Sequence, residues 1–196
     1  MSVEEARIVF DLEAQAIRTL NQRLDDRFER VVAMIRDCQG RIILFGVGKS
    51  GHIARKVAAT MASIGIPAFF VHAGECHHGD IGRVTPDDLV IAISYGGESD
   101  EILTMLPVLK DIGATLVAIT GKPDSTLGRA AHTALDIGPD LGEDMAGWTH
   151  VSSIAASMAM GDALAIAAAK ARGFTKQSFA QYHPGGSYGK ELQADT

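Results

Sequence analysis

The sequence predicts an α/β domain: a three-layer sandwich around a five-stranded parallel sheet in flavodoxin-like order. Three observations carry that expectation. Arg41-Ile42-Ile43-Leu44-Phe45 and Asp88-Leu89-Val90-Ile91-Ala92-Ile93 are short apolar runs of the kind buried on both faces of a parallel sheet. Each leads into a glycine- and serine-rich turn that opens a helical pattern, Gly46-Val47-Gly48-Lys49-Ser50-Gly51 and Ser94-Tyr95-Gly96-Gly97-Glu98-Ser99. Strand and helix signals then alternate along the chain, which calls for parallel strands joined by right-handed crossovers.

From the N-terminus, Val9, Leu12, Ala16, Ile17 and Leu20 recur at helical spacing, and Leu24, Phe28, Val31, Val32 and Ile35 repeat the pattern. Residues 1–38 therefore read as helices that pack on the sheet or on a partner subunit. Gly40 precedes the first strand, 41–46, and a helix over about 50–64 follows, with Ile53, Val57, Met61 and Ile64 on one face and Gly65 as its stop. Pro67 introduces a second strand at 68–72, after which 73–80 is a loop or a short helix. Thr85-Pro86-Asp87-Asp88 turns into the third strand, and a helix over about 98–112 follows, bent at Pro107 because proline lacks a donor and crowds the preceding turn. A fourth strand at 114–120, a short helical stretch and a fifth strand at 133–137 complete the sheet. Residues 138–149 read as a rim loop. Val151 to Arg172 is a long helix rich in Ala, Ser and Met, whose small side chains suit close packing on another helix or at a subunit interface. Gln181 to Gly189 is a loop by its proline and glycine content.

At 196 residues, 46% hydrophobic and 21% charged, the chain has the size and balance of one soluble globular domain spanning 1–196. A formal net charge of -6 without a local Lys/Arg run argues against a nucleic-acid surface. The acidic start lacks the basic and apolar parts of a secretory signal, and no uninterrupted apolar stretch has the length of a membrane span. Cys38 and Cys76 form no C-x-x-C pair, as in a reducing compartment, so a cytoplasmic location is expected.

Two serine-bearing turns at the ends of adjacent parallel strands suit a small phosphate ester. Glycine admits close backbone approach, and helix N-termini attract negative charge. Neither turn has Walker or full G-x-G-x-x-G spacing, so a dinucleotide or nucleoside triphosphate is not the first expectation. Ser50, Ser94 and Ser99 are the candidate phosphate hydroxyls, with backbone N–H groups around Gly96 to Ser99; the competing reading makes Ser50 and Ser99 simple helix caps. Lys49 is placed to neutralise a phosphate or polarise a carbonyl, against the alternative of a solvated lysine. Glu98 and Glu101 stand beside a proposed anion site, an arrangement that phosphate binding alone disfavours and a catalytic base would explain. His183, held extended by Pro184, has the titration range for acid or base work. Cys76, His77, His78 and Asp80 lack a recognised ligand spacing, so neither a metal nor another cofactor is expected.

These motifs together resemble the sugar isomerase (SIS) domain family, and within it the arabinose 5-phosphate isomerases, over roughly residues 10–193. The resemblance rests on Gly46 to Lys56, His78-Gly79-Asp80-Ile81-Gly82, Ser94 to Ile102, Met160-Gly161-Asp162-Ala163-Leu164-Ala165 and His183-Pro184-Gly185-Gly186. It implies the SIS fold, a homotetramer, and an aldose–ketose isomerase of a phosphosugar, with D-arabinose 5-phosphate and D-ribulose 5-phosphate as the leading pair. By position the family's lysine falls on Lys49, its first glutamate on Glu101 and its histidine on His183, acting from its own or a neighbouring subunit. Its second glutamate falls on Glu143 after a one-residue slip. Gly48, Ser50, His78, Ser94, Tyr95, Gly97 and Ser99 become the substrate-binding set. The chain departs from the family pattern at Tyr95, normally a smaller polar residue, and at Gly96, normally serine. It also ends at Thr196 without the paired CBS modules that often follow, so regulation through them is not expected. Isomerases of other phosphosugars and a non-catalytic sugar-phosphate sensor are the alternatives.

Overall fold

The computed structural model describes residues 2–138 and 150–184. Its sheet contains β1 (Ile42–Gly46), β2 (Ala68–His72), β3 (Leu89–Ile93), β4 (Thr115–Thr120) and β5 (Thr133–Asp136), in the order β2-β1-β3-β4-β5 with every pairing parallel. This is the flavodoxin-like order. Alternate residues of each strand face opposite layers, so Ile42 and Leu44 enter one core while Ile43 and Phe45 enter the other.

The first layer holds α1 (Ser2–Gln22), α2 (Asp26–Asp37), α3 (Gly48–Ser63) and α7 (Val151–Ala171). The second holds two 3-10 turns, Ala73–His78 and Asp80–Arg83, with α4 (Asp100–Leu103), α5 (Leu106–Ile112) and α6 (Thr126–Ala130). The three-layer sandwich is thus as the sequence indicates. Both N-terminal helices pack on α7, and α2 also reaches β5, whereas the outer side of α1 leaves Val3, Phe10 and Ile17 exposed.

By length and apolar composition α7 is suited to crossing a membrane, yet it is more than half buried inside this chain against α1, α2 and α3. Its small residues serve that packing. A Cβ at Gly161 would come within 2.3 Å of Val57 Cγ2, so the two helices touch there through glycine.

Two elements differ from expectation. The helix over 98–112 is not bent but broken at Thr104 and Met105, and Pro107 lies in the first turn of α5, where its missing N–H has no partner to lose. The tail carries an eighth helix, α8 (Lys176–Tyr182), where Gln181 and Tyr182 read as loop. Thr175 caps it by accepting the Ser178 N–H at 3.2 Å.

Candidate functional site

Because β1 and β3 are neighbours in register, with Phe45 opposite Ala92, the segments that leave their C-terminal ends emerge side by side. The first becomes α3, which begins after Val47 without a side-chain cap and places Gly48, Lys49 and Ser50 in its opening turn. Gly48 has φ +54, a conformation that favours glycine. Ser50 is therefore not a cap. Gly48 and Lys49 are exposed on the rim, and Ser50 is half-buried.

The second segment is held from within. Ser94 is buried, its Oγ lies 3.2 Å from Ser99 Oγ, and it accepts the Gly97 N–H at 3.2 Å. Ser99 occupies the position before α4, but its hydroxyl makes no cap bond and meets Ser94 instead. Gly97 has φ +67, and a Cβ there would overlap Ser125 Oγ. The Leu127 N–H donates to Gly97 O at 3.1 Å, and the Gly121 N–H donates to Tyr95 O at 2.9 Å. The turn is therefore fixed to α6 on one side and to the end of β4 on the other, as a preorganised anion cradle must be.

Glu98 and Glu101 separate in role. Glu98 Oε1 accepts the Thr126 N–H at 2.7 Å at the start of α6, and that bond holds its carboxyl below the usual glutamate range. Glu98 thus ties the turn to α6, and its carboxylate is engaged there rather than available as a second base. Glu101 projects from the first turn of α4 and is exposed.

β2 is the other neighbour of β1, and the 3-10 turn that follows it ends with His78, exposed on the same rim. His77 Nε2 lies 3.0 Å from Thr104 Oγ1, just beyond α4, and so joins this turn to the helix that carries Glu101. Cys76 is buried in the second core, where desolvation, aided by the charge of Asp80, pushes its thiol up to about 11. Cys76 and His77 thus face different ways, and among the described residues no three His, Cys, Asp or Glu side chains converge as metal ligands.

The rim therefore brings together Gly48, Lys49, Ser50, His78, Ser94, Tyr95, Gly97, Ser99 and Glu101. His183 is not among them in its own chain. It closes α8, stacked on Phe179 with ring centroids 3.8 Å apart and Nδ1 3.0 Å from Phe179 O. The preceding Tyr182 lines a cavity with Arg41, Ile66, Pro67 and Ala68, at the N-terminal ends of β1 and β2. Five strand residues span roughly 16 Å, so this is the opposite end of the sheet. Glu143 lies outside the described residues.

Sequence reasoning missed the supports Ser125, Thr126, Thr104 and His77. Ser125, after Pro123-Asp124, carries a readable cap signal and does cap α6, accepting the Gly128 N–H at 3.2 Å. Nothing in the sequence ties His77 to Thr104.

The SIS domain family model matches residues 34–167. The chain belongs to the SIS domain family. Over 184 residues it is 47% identical to arabinose 5-phosphate isomerase KdsD of Yersinia pestis, covering 94% of this chain and 56% of the relative. It has the same identity and coverages with KdsD of Escherichia coli strain K12. The chain thus spans about half the length of the curated relatives it matches. A solved structure, c3406 of E. coli CFT073 in complex with arabinose 5-phosphate, is 37% identical with a TM-score of 0.84, covering 93% of this chain and 97% of that one. The SIS signatures that begin at Gly46, at His78 and at Ser94 thus start from one rim of a SIS fold.

Proposed function

We propose that this SIS domain is an aldose–ketose isomerase that interconverts D-arabinose 5-phosphate and D-ribulose 5-phosphate. The observation that carries the reading is the buried Ser94 hydroxyl, which holds a pinned, glycine-bent turn beside the start of α3, with Lys49 and Glu101 on the same rim. The turn grips the phosphate and the sugar extends along the rim. The named relatives support the choice of sugar.

Isomerisation of the open-chain aldose moves one hydrogen from C2 to C1 and another from O2 to O1. The Glu101 carboxylate takes the proton from C2 while O1 gains one, giving the enediol; the carboxyl then returns a proton to C1 as O2 loses its own and becomes the ketone. Lys49 stabilises the charge on the enediolate oxygens. The step balances without an external oxidant, because C2 is oxidised as C1 is reduced. His78 contacts the sugar at the rim, and Glu143 is the second candidate carboxylate.

His183 assists ring opening from a neighbouring copy. Its placement beyond the N-terminal ends of β1 and β2 supports this, since its own crevice lies at the other end of the sheet. A homotetramer supplies such a neighbour, and the exposed Val3, Phe10 and Ile17 on α1 with Met158 and Ile166 on α7 offer apolar surface for it.

The test is ketose formation by purified protein, in chelator, across a panel of pentose, hexose and heptose phosphates. Turnover is expected to be fastest on D-arabinose 5-phosphate. Tight binding of a panel member with no turnover on any would replace the isomerase with a sugar-phosphate sensor.

A further inference from the structure

We infer that Tyr95 and His150 form an aromatic wall on one side of the crevice and decide how long a phosphosugar it takes. The inference rests on the phosphosugar reading above. Tyr95 directly follows the buried Ser94, and its carbonyl accepts both the Gly121 N–H at 2.9 Å and the Thr120 hydroxyl at 3.1 Å, so its backbone is held. Its ring lies on Gly121, where a Cβ would come within 2.3 Å of the ring edge. The same ring stacks with His150, with centroids 6.1 Å apart and planes 28° from parallel.

His150 is the residue from which α7 starts. Helices α3 and α7 both run from this rim to the far end of the sheet, where Phe174 lies against Gly65 just past the end of α3. They touch at Val57 and Gly161, and the Lys56 ammonium pairs with Asp162 beside that contact. Counting back about as many residues along each helix brings His150 level with Val47, so His150 and the Gly48-Lys49-Ser50 turn begin neighbouring helices on one rim. Ser94 and Tyr95 leave the strand beside them.

A ring held by its backbone, by a glycine floor and by a stacked partner does not swing aside for a larger ligand. It offers a flat apolar face to sugar C–H groups, and its neighbour Gly96 leaves open space where a Cβ would meet nothing within 4 Å. The phosphate is anchored at Ser94, so the wall acts on the carbon count between phosphate and carbonyl. A tight pocket discriminates about 10- to 200-fold for one added carbon.

The experiment measures dissociation constants by calorimetry, and kcat/KM where there is turnover, for D-arabinose 5-phosphate and D-glucose 6-phosphate. It compares the wild type with His150→Ala and His150→Phe, with inorganic phosphate as the probe of the Ser94 turn. In His150→Ala the preference for five carbons should fall at least about 10-fold while phosphate binding is unchanged, and His150→Phe should restore the wild-type ratio. A His150→Ala ratio within about twofold of wild type, or a Phe variant that behaves like Ala, overturns the wall. If the wild type binds both sugars and converts neither, the isomerase reading fails and the ratio of dissociation constants still decides the wall. A wild type that binds neither sugar overturns both.

Discussion

Ser94 Oγ stands 3.2 Å from Ser99 Oγ and accepts the Gly97 N–H, so one buried hydroxyl joins both ends of the turn proposed to hold phosphate. Ser94→Ala leaves that N–H without its acceptor and removes a hydroxyl from the anion. Inorganic phosphate should bind about 10- to 100-fold more weakly, the worth of a hydrogen bond to a charged group. Calorimetric titration of the variant checks this, and unchanged affinity would place the phosphate elsewhere.

Gly161 is where α7 meets α3. With Val57 Cγ2 only 2.3 Å from a Cβ built there, Gly161→Ala forces the helices apart or the valine off its rotamer. Overpacking of this kind costs about 1–3 kcal/mol. Val57→Ala in the same chain should recover most of the loss, so urea denaturation of the two single variants and the double variant should show strong coupling.

Asp88 is buried, with Oδ1 accepting the Arg41 backbone N–H at 2.7 Å and Oδ2 accepting the Thr85 N–H at 2.8 Å. Burial pushes its carboxyl up, but the bonds from Arg41 and Thr85 together outweigh burial and hold it below the usual aspartate range. A carboxyl depressed on folding stabilises the protein above its ordinary value, about 3.9, and loses that contribution as pH falls through the folded value. Asp88→Asn should therefore be about 2 kcal/mol less stable than wild type at neutral pH, with the gap closing below about pH 4. Urea midpoints at the two pH values decide it; a constant gap would refute it.

His183 and Glu101 occupy opposite ends of one chain's sheet. If they meet across copies, Glu101→Gln and His183→Ala should each lose turnover, and co-expression of the two should restore part of it, because some sites then join an intact Glu101 to an intact His183. No recovery in isolated mixed oligomers would confine His183 to another role.

Most of the fold was legible because strand runs such as Leu89 to Ile93 are apolar without interruption, a pattern that only burial on both faces explains. The two glycine-bearing turns were legible for a related reason: Gly48 and Gly97 have positive φ, and glycine at such points marks the chain's bends. Other features depend on distance. The fate of Glu98 was hidden because its partner Thr126 is 28 residues away, and first-turn acids look alike in sequence whether they cap, catalyse or face water. The break at Thr104 was misread as a bend because Pro107 marks the start of a helix as well as a kink within one. The position of His183 follows from α8, whose packing through Phe179 and Tyr182 no local pattern discloses.

The most direct test is proton transfer at Glu101. Purified protein is incubated with D-arabinose 5-phosphate in deuterated water, and NMR follows both the appearance of D-ribulose 5-phosphate and deuterium at its C1. Wild type should form the ketose, while Glu101→Gln should bind the sugar phosphate about as well and turn it over about 1,000-fold more slowly, within the range for a lost general base. A wild type that binds the sugar and makes no ketose, or a glutamine variant that keeps the wild-type rate, would contradict the account.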